Sequence, residues 1–156
     1  MGGAFAGEPT HELLSSLQGD CVPKFFGLYV KANPTKGERT TCIVLQDCGQ
    51  TLPWDFCRLS RDEKARILNT LLKIHRVGLL HLDFHEENLL KDDSNKYTVI
   101  DFDEMKTGHV CACGGDYDFG THDDMSPVSP ACPYLLVIAH NMSFYDSGYV
   151  DVDGYV

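Results

Sequence analysis

Apolar residues fall at helical spacing near the start of the chain and at strand spacing soon after. In PTHELLSSLQG, Leu13, Leu14 and Leu17 mark one face and Gly19 ends the run, which predicts a short helix over 9–18. VPKFFGLYV and TTCIVLQ follow, rich in β-branched and aromatic residues. KANPTKGER between them supplies Pro and Gly, so the stretch reads as a β-hairpin with a long loop.

The clearest helix is SRDEKARILNTLLKIHRVG. Ser60 and Glu63 have capping-box spacing, in which each side chain satisfies a backbone N–H that the first turn leaves without a partner. Ile67, Leu68, Leu71, Leu72 and Ile74 form an apolar face. Lys73, His75 and Arg76 stand in the last turn, where the helix dipole favours cations, and Gly78 suits the left-handed residue beyond it. Three short apolar runs come next, LLH, NLL and YTVIDF. The turn KDDSNK joins the last two as a second hairpin, with Asp92 and Asp93 as turn formers. After residue 106 the pattern decays into CACGGDYDFGTHDDMSPVSP, rich in Gly, Asp and Pro, before ACPYLLVIAHNMSFY offers a final helix. The elements mix helix and strand in the manner of an α+β fold.

Composition narrows the picture. A length of 156 residues suits one domain, and 43% hydrophobic residues can fill a core. The net charge of −10 makes phosphate backbones poor partners, so neither nucleic acid nor an anionic membrane is expected to bind. No apolar run reaches the roughly 18 residues that a membrane span needs. MGGAFAGEPT lacks the basic and apolar regions of a secretory signal, and the seven cysteines are odd in number and irregularly spaced. Reduced thiols in the cytoplasm, or in the nucleus, are the expectation. His109, Cys111 and Cys113 in HVCAC offer zinc-type ligands, but no CxxC pair accompanies them, and loop cysteines without metal are the plainer reading. The last fifty residues contain no Lys or Arg and seven Asp, so they cannot supply a cation to a phosphate.

The candidate chemistry lies in HLDFHEENLL. His81, Asp83 and Asn88 form H-x-D-x-x-x-x-N after the long helix, and Asp101 follows a strand in VIDFDEM. This order of helix, loop Asp, Asn, hairpin and strand-end Asp resembles the catalytic loop and metal-binding segment of the protein-kinase-like superfamily. CVPKFFGLYV and CIVLQDCGQTL look like the last two strands before a kinase hinge. LQGDCVPKFFGLY and DCGQTL are similar to kinase-like proteins abundant in fungi. His85, two residues after Asp83, is a feature shared with aminoglycoside-phosphotransferase-type kinases.

The resemblance implies a catalytic role for Asp83, as the group that orients or accepts the proton of an attacking hydroxyl. It implies Mg²⁺ ligands in Asn88 and Asp101, with Asp103 beside them where protein kinases carry Gly. It implies ATP contacts from the hinge at Asp47 and Cys48, and from His85 where those kinases carry Lys. A protein or small-molecule phosphoacceptor is the implied partner. His81 reads as a structural histidine bonded to backbone, and Glu86 and Glu87 as solvated. The two leucines that close the stretch are expected to anchor the loop in the core.

Leu82 stands where protein kinases usually carry Arg, and neither a Gly-rich phosphate loop nor the strand lysine is found. Lys31 in LYVK lies too close to the hinge to be that lysine. The expectation is therefore a partial kinase-like fold truncated at both ends. A remnant N-lobe, helix plus β-hairpin, would occupy 1–46, and a hinge with a shortened, mainly helical C-lobe 47–156. Its activity would be ATP- and Mg²⁺-dependent phosphoryl transfer to a hydroxyl. The alternative is a catalytically inactive pseudokinase, a binding module, or a fragment of a longer kinase.

Two rival enzymes are weaker. YTVIDFDEM also resembles the D-x-D motif of haloacid-dehalogenase-type phosphatases, but that family needs a downstream lysine and none follows Lys106. A metallohydrolase with His81, Asp83 and His85 on one strand face leaves Asn88 and the preceding helix unexplained.

Overall fold

The computed structural model describes residues 12–32, 39–120 and 129–146. Helix and strand are mixed, as the patterning predicts. Of the first expected helix, the described residues are helical over 12–15, and its proposed residues 9–11 lie outside the described segments. The chain reverses around one carbonyl: Leu17 O accepts the N–H groups of Asp20, Cys21 and Val22 at 3.1–3.2 Å. Leu14, Leu17, Cys21 and Val22 are buried there, so packing ends the helix earlier than the spacing suggests.

The hairpin forms as expected. β1 (Phe25–Ala32) pairs antiparallel with β2 (Arg39–Leu45), with Leu28 opposite Ile43 and a bulge between Phe25 and Gly27. Most of the predicted loop, 33–38, lies outside the described residues. Phe26, Leu28, Tyr29, Val30 and Val44 are exposed on the hairpin.

Beyond the hairpin, β3 (Gln50–Thr51), β5 (Leu89–Lys91) and β6 (Tyr97–Val99) make a three-stranded antiparallel sheet. β4 (Leu79–His81) pairs with β7 (Met105–Thr107), a contact that short apolar runs did not reveal. The KDDSNK turn joins β5 to β6, and Asp92 Oδ1 ties it by accepting from the Ser94 N–H and hydroxyl and from the Lys96 N–H.

α1 (Arg61–Arg76) is the spine. Ile67, Leu68, Leu71, Leu72 and Ile74 are all at most 1% exposed, so the predicted face is the buried one. It packs on β4, β6 and α2 (Pro133–Asn141), the expected final helix, which begins at a proline suited to the first turn. Among the described residues, two helices and five short strands follow residue 46, and the helices hold more residues than the strands. Irregular chain after β7 is pinned by α1: Arg76 Nη2 donates to the carbonyls of Gly114, Gly115 and Tyr117 at 2.7–2.9 Å. Asn69 pairs with the backbone of Phe119 through both its amide groups. Among the described residues no helix is long and apolar enough to cross a membrane.

The capping box does more than start α1. Ser60 and Glu63 exchange the expected bonds, and Glu63 also takes Lys91 Nζ at 2.8 Å and the Tyr97 hydroxyl at 3.3 Å. Partial burial pushes the Glu63 carboxyl up, but the bonds from Lys91 and Ser60 prevail and bring it down to about 2. A folded value below the unfolded one gives stability that is complete above pH 4.5 and is lost as pH falls toward 2. Denaturant unfolding between those values should therefore show a steeper acid loss for the wild type than for Glu63→Gln. Equal slopes would detach the ion pair from the acid sensitivity.

Candidate active site

β4 ends at His81, and the chain then turns through the loop that carries Asp83, His85 and Asn88. Backbone bonds clamp this loop on both sides. The Leu82 N–H donates to Glu104 O at 2.9 Å, and the Ile100 N–H donates to Asn88 O at 2.9 Å. His81 is buried, and its Nε2 lies 3.0 Å from Ile100 O, the backbone-bonded role expected of it. Its ring also meets the edges of Phe84 and Phe102. The metallohydrolase reading fails here, because the strand stops at His81 and that ring is engaged with Ile100. Leu89 is fully buried and Leu90 partly so, which roots the far end of the loop in the core.

The polar groups of the loop bond to one another. The Glu87 N–H donates to His85 Nδ1 at 3.3 Å, so Nδ1 is the acceptor nitrogen and Nε2 carries the proton. Nε2 lies 3.3 Å from Asp83 Oδ2. Asn88 Nδ2 donates to Asp83 O at 2.9 Å and to Asp83 Oδ2 at 3.3 Å. Asn88 Nδ2 also lies 3.1 Å from His85 Nε2. Both amide hydrogens of Asn88 are used, which leaves its Oδ1 without a hydrogen bond to this loop. The Asp83 side chain is about half exposed at 54%. Asn88 itself is buried.

Asp101 leaves β6 two residues after Val99, which pairs with Leu89 next to Asn88. The hairpin therefore brings Asp101 and Asn88 to the same end. Asp101 has φ +58°, a left-handed conformation uncommon outside Gly, Asn and Asp. Its Oδ1 accepts the Asp103 N–H at 3.4 Å, and both side chains are exposed. The oxygen donors of Asn88, Asp101 and Asp103 are of the hard type that Mg²⁺ prefers.

A cavity of about 170 Å³ lies between Phe25, Ile43 and Leu45 of the hairpin and the segment from Ile100 to Asp103. It is smaller than the roughly 300 Å³ at which small-molecule pockets begin. Asp47 and Cys48 do not line it. Asp47 is exposed and its Oδ1 accepts the Gly49 N–H at 3.0 Å, whereas Cys48 is buried.

One structural role was not legible in the sequence. Glu86 is not simply solvated: its Oε1 accepts the Phe56 N–H at 2.7 Å, fastening the loop to the turn at Phe56–Arg58. Stacking of Phe56 on Phe84 reinforces that link. The partners are thirty residues apart, so no local pattern announces them.

Comparisons with known proteins bear on the same segments. The model of the phosphotransferase enzyme family (APH) matches residues 38–112, which contain α1, the loop and Asp101. Serine/threonine-protein kinase rio2 of Dictyostelium discoideum is 40% identical over 47 residues. That match covers 30% of this chain and 9% of the relative. Both similarities are to phosphotransferases, and with the order of helix, loop and strand they support a place for this chain in the protein-kinase-like superfamily.

Proposed function

We propose that this kinase-like phosphotransferase domain moves a phosphoryl group from ATP to a hydroxyl of a protein or small molecule. The carrying observation is the bonded set Asp83, His85 and Asn88 at the end of the hairpin from which Asp101 emerges. Phosphoryl transfer asks a protein for positioning and charge neutralisation more than for covalent chemistry. In this reading Asp83 Oδ1 accepts the proton of the attacking hydroxyl, while His85 and Asn88 fix the carboxylate through Oδ2. Asn88 and Asp101, with Asp103 beside them, hold Mg²⁺. The ion, when bound, would neutralise phosphate charge. Residues 1–46 would act as the N-lobe portion and 47–156 as hinge and C-lobe, with Asp47 and Cys48 at the nucleotide's edge. The kinase named among the relatives acts on serine and threonine, which favours a protein hydroxyl as acceptor.

A second reading, a kinase-like binding module without catalysis, draws on the exposed apolar residues of β1 and β2. Calorimetric titration of ATP with Mg²⁺ separates the two. Saturable heat in the wild type that is lost in Asp101→Ala is the expected result. Absent heat, or the same heat in both proteins, would remove the metal–nucleotide reading and leave the binding module.

A further inference from the structure

We propose that His75, His109, Cys111 and Cys132 form a structural zinc site, separate from the loop that carries Asp83. One ligand atom from each residue lies within 4.8 Å of all the others. Zinc bonds of ~2.3 Å to sulfur and ~2.0–2.1 Å to nitrogen, opened to the tetrahedral angle, set sulfur and nitrogen about 3.6 Å apart. Cys132 Sγ lies 3.6 Å from His109 Nε2 and 3.7 Å from His75 Nδ1. Those two separations are edges of the tetrahedron that zinc would require.

The four residues come from three segments that the fold has already gathered. His75 stands in the last turn of α1, and Gly78 then reverses the chain with φ +89°. The His109 N–H donates to Gly78 O at 3.0 Å, which sets the 108–113 segment against the end of α1. The imidazoles of His75 and His109 meet edge to face, and the Tyr134 ring also packs on His109. Cys132 is the N-cap of α2, fully buried, and makes no side-chain capping bond. The start of a helix favours a thiolate.

Chemistry and burial agree. His75 is buried, so its imidazole is held neutral and able to donate a lone pair. As zinc binds, Cys111 and Cys132 each release a thiol proton to solvent. Two thiolates then cancel the charge of the dication, so no net charge is buried. Four protein ligands leave no open position, the mark of a structural rather than catalytic site. Without metal the same groups could exchange only weak bonds to sulfur. With it, one ion joins α1, the 108–113 segment and α2. Cys113, also buried, is not among the four.

The test is metal analysis of the full chain, purified under reducing conditions without chelator. One zinc per chain is expected. Replacement by cobalt should give the visible bands of a tetrahedral ion and a thiolate-to-cobalt charge-transfer band. Cys132→Ser and Cys111→Ser should each lose the metal, and Cys42→Ser, exposed on β2, should keep it. Should Cys132→Ser fail to fold, the decision passes to the half-buried His109→Ala, with helical circular dichroism confirming its fold. A metal-free protein whose cobalt form is octahedral overturns the proposal. So does full zinc content in folded His109→Ala or Cys111→Ser, or a Cys111–Cys132 disulfide in the native protein.

Discussion

Gly49→Ala should destabilise the fold by about 2–6 kcal/mol, as the sum of left-handed backbone strain and overpacking. Gly49 has φ +97°, a conformation that an alanine Cβ resists. The added carbon would overlap the carbonyl oxygen of Lys91 and lie 2.7 Å from its carbonyl carbon and 2.8 Å from Asp92 Cα. These are backbone atoms of β5 and of the turn after it, so no side-chain rotation can relieve the clash. β3 would have to move off β5, breaking the pairing of Gln50 with Lys91 and Thr51 with Leu90. Gly114→Ala and Gly115→Ala are the controls, because an added Cβ there meets nothing within 4 Å. Each should stay within about 0.5 kcal/mol of wild type in denaturant unfolding. A Gly49→Ala protein as stable as these controls would show that β3 is not held tightly on β5.

The sequence revealed what is decided locally. α1 is read from apolar spacing and a capping box three residues wide, and both are properties of neighbouring residues. The β5–β6 hairpin is read from its turn, where Asp92 bonds residues two and four positions on. Asp83, His85 and Asn88 could be singled out together because they stand in one short loop with the spacing of a known motif.

Contacts between distant residues left no such trace. β4 and β7 are three residues each, too short to show alternation, and their pairing joins Leu79 to Thr107. The stretch from Cys111 to Gly120 reads as unstructured because it has no periodicity. Its order comes instead from Arg76 and Asn69 on α1, which bond its carbonyl and N–H groups. HVCAC held two of the four proposed zinc ligands in plain view. The other two, His75 and Cys132, are far away in the chain, and a search for paired cysteines passes over them. In the same way, the apolar residues of β1 and β2 predict strands correctly but say nothing of their exposure.

Asp83→Asn should lower the rate of phosphoryl transfer by roughly 10²–10⁴-fold, the usual worth of a positioned general base. Mg²⁺–ATP affinity should change little. The separation follows from the bonds around the loop. Asp83 Oδ2 accepts from Asn88 Nδ2 at 3.3 Å and lies 3.3 Å from His85 Nε2. An asparagine would turn its carbonyl oxygen toward the Asn88 amide. Its amide NH₂ would then occupy the position of Oδ1, where it can donate a hydrogen bond but cannot accept a proton. The loop geometry survives and the proposed base is lost. Asp101→Ala should behave in the opposite way, losing nucleotide affinity, because its proposed work is to hold the ion. Transfer of labelled γ-phosphate from ATP, measured beside calorimetric affinity for the two variants, distinguishes these roles. Unchanged turnover in Asp83→Asn would take the base away from Asp83. Parallel loss of affinity in both variants would mean that the loop acts as one binding unit, with no division between base and metal ligands.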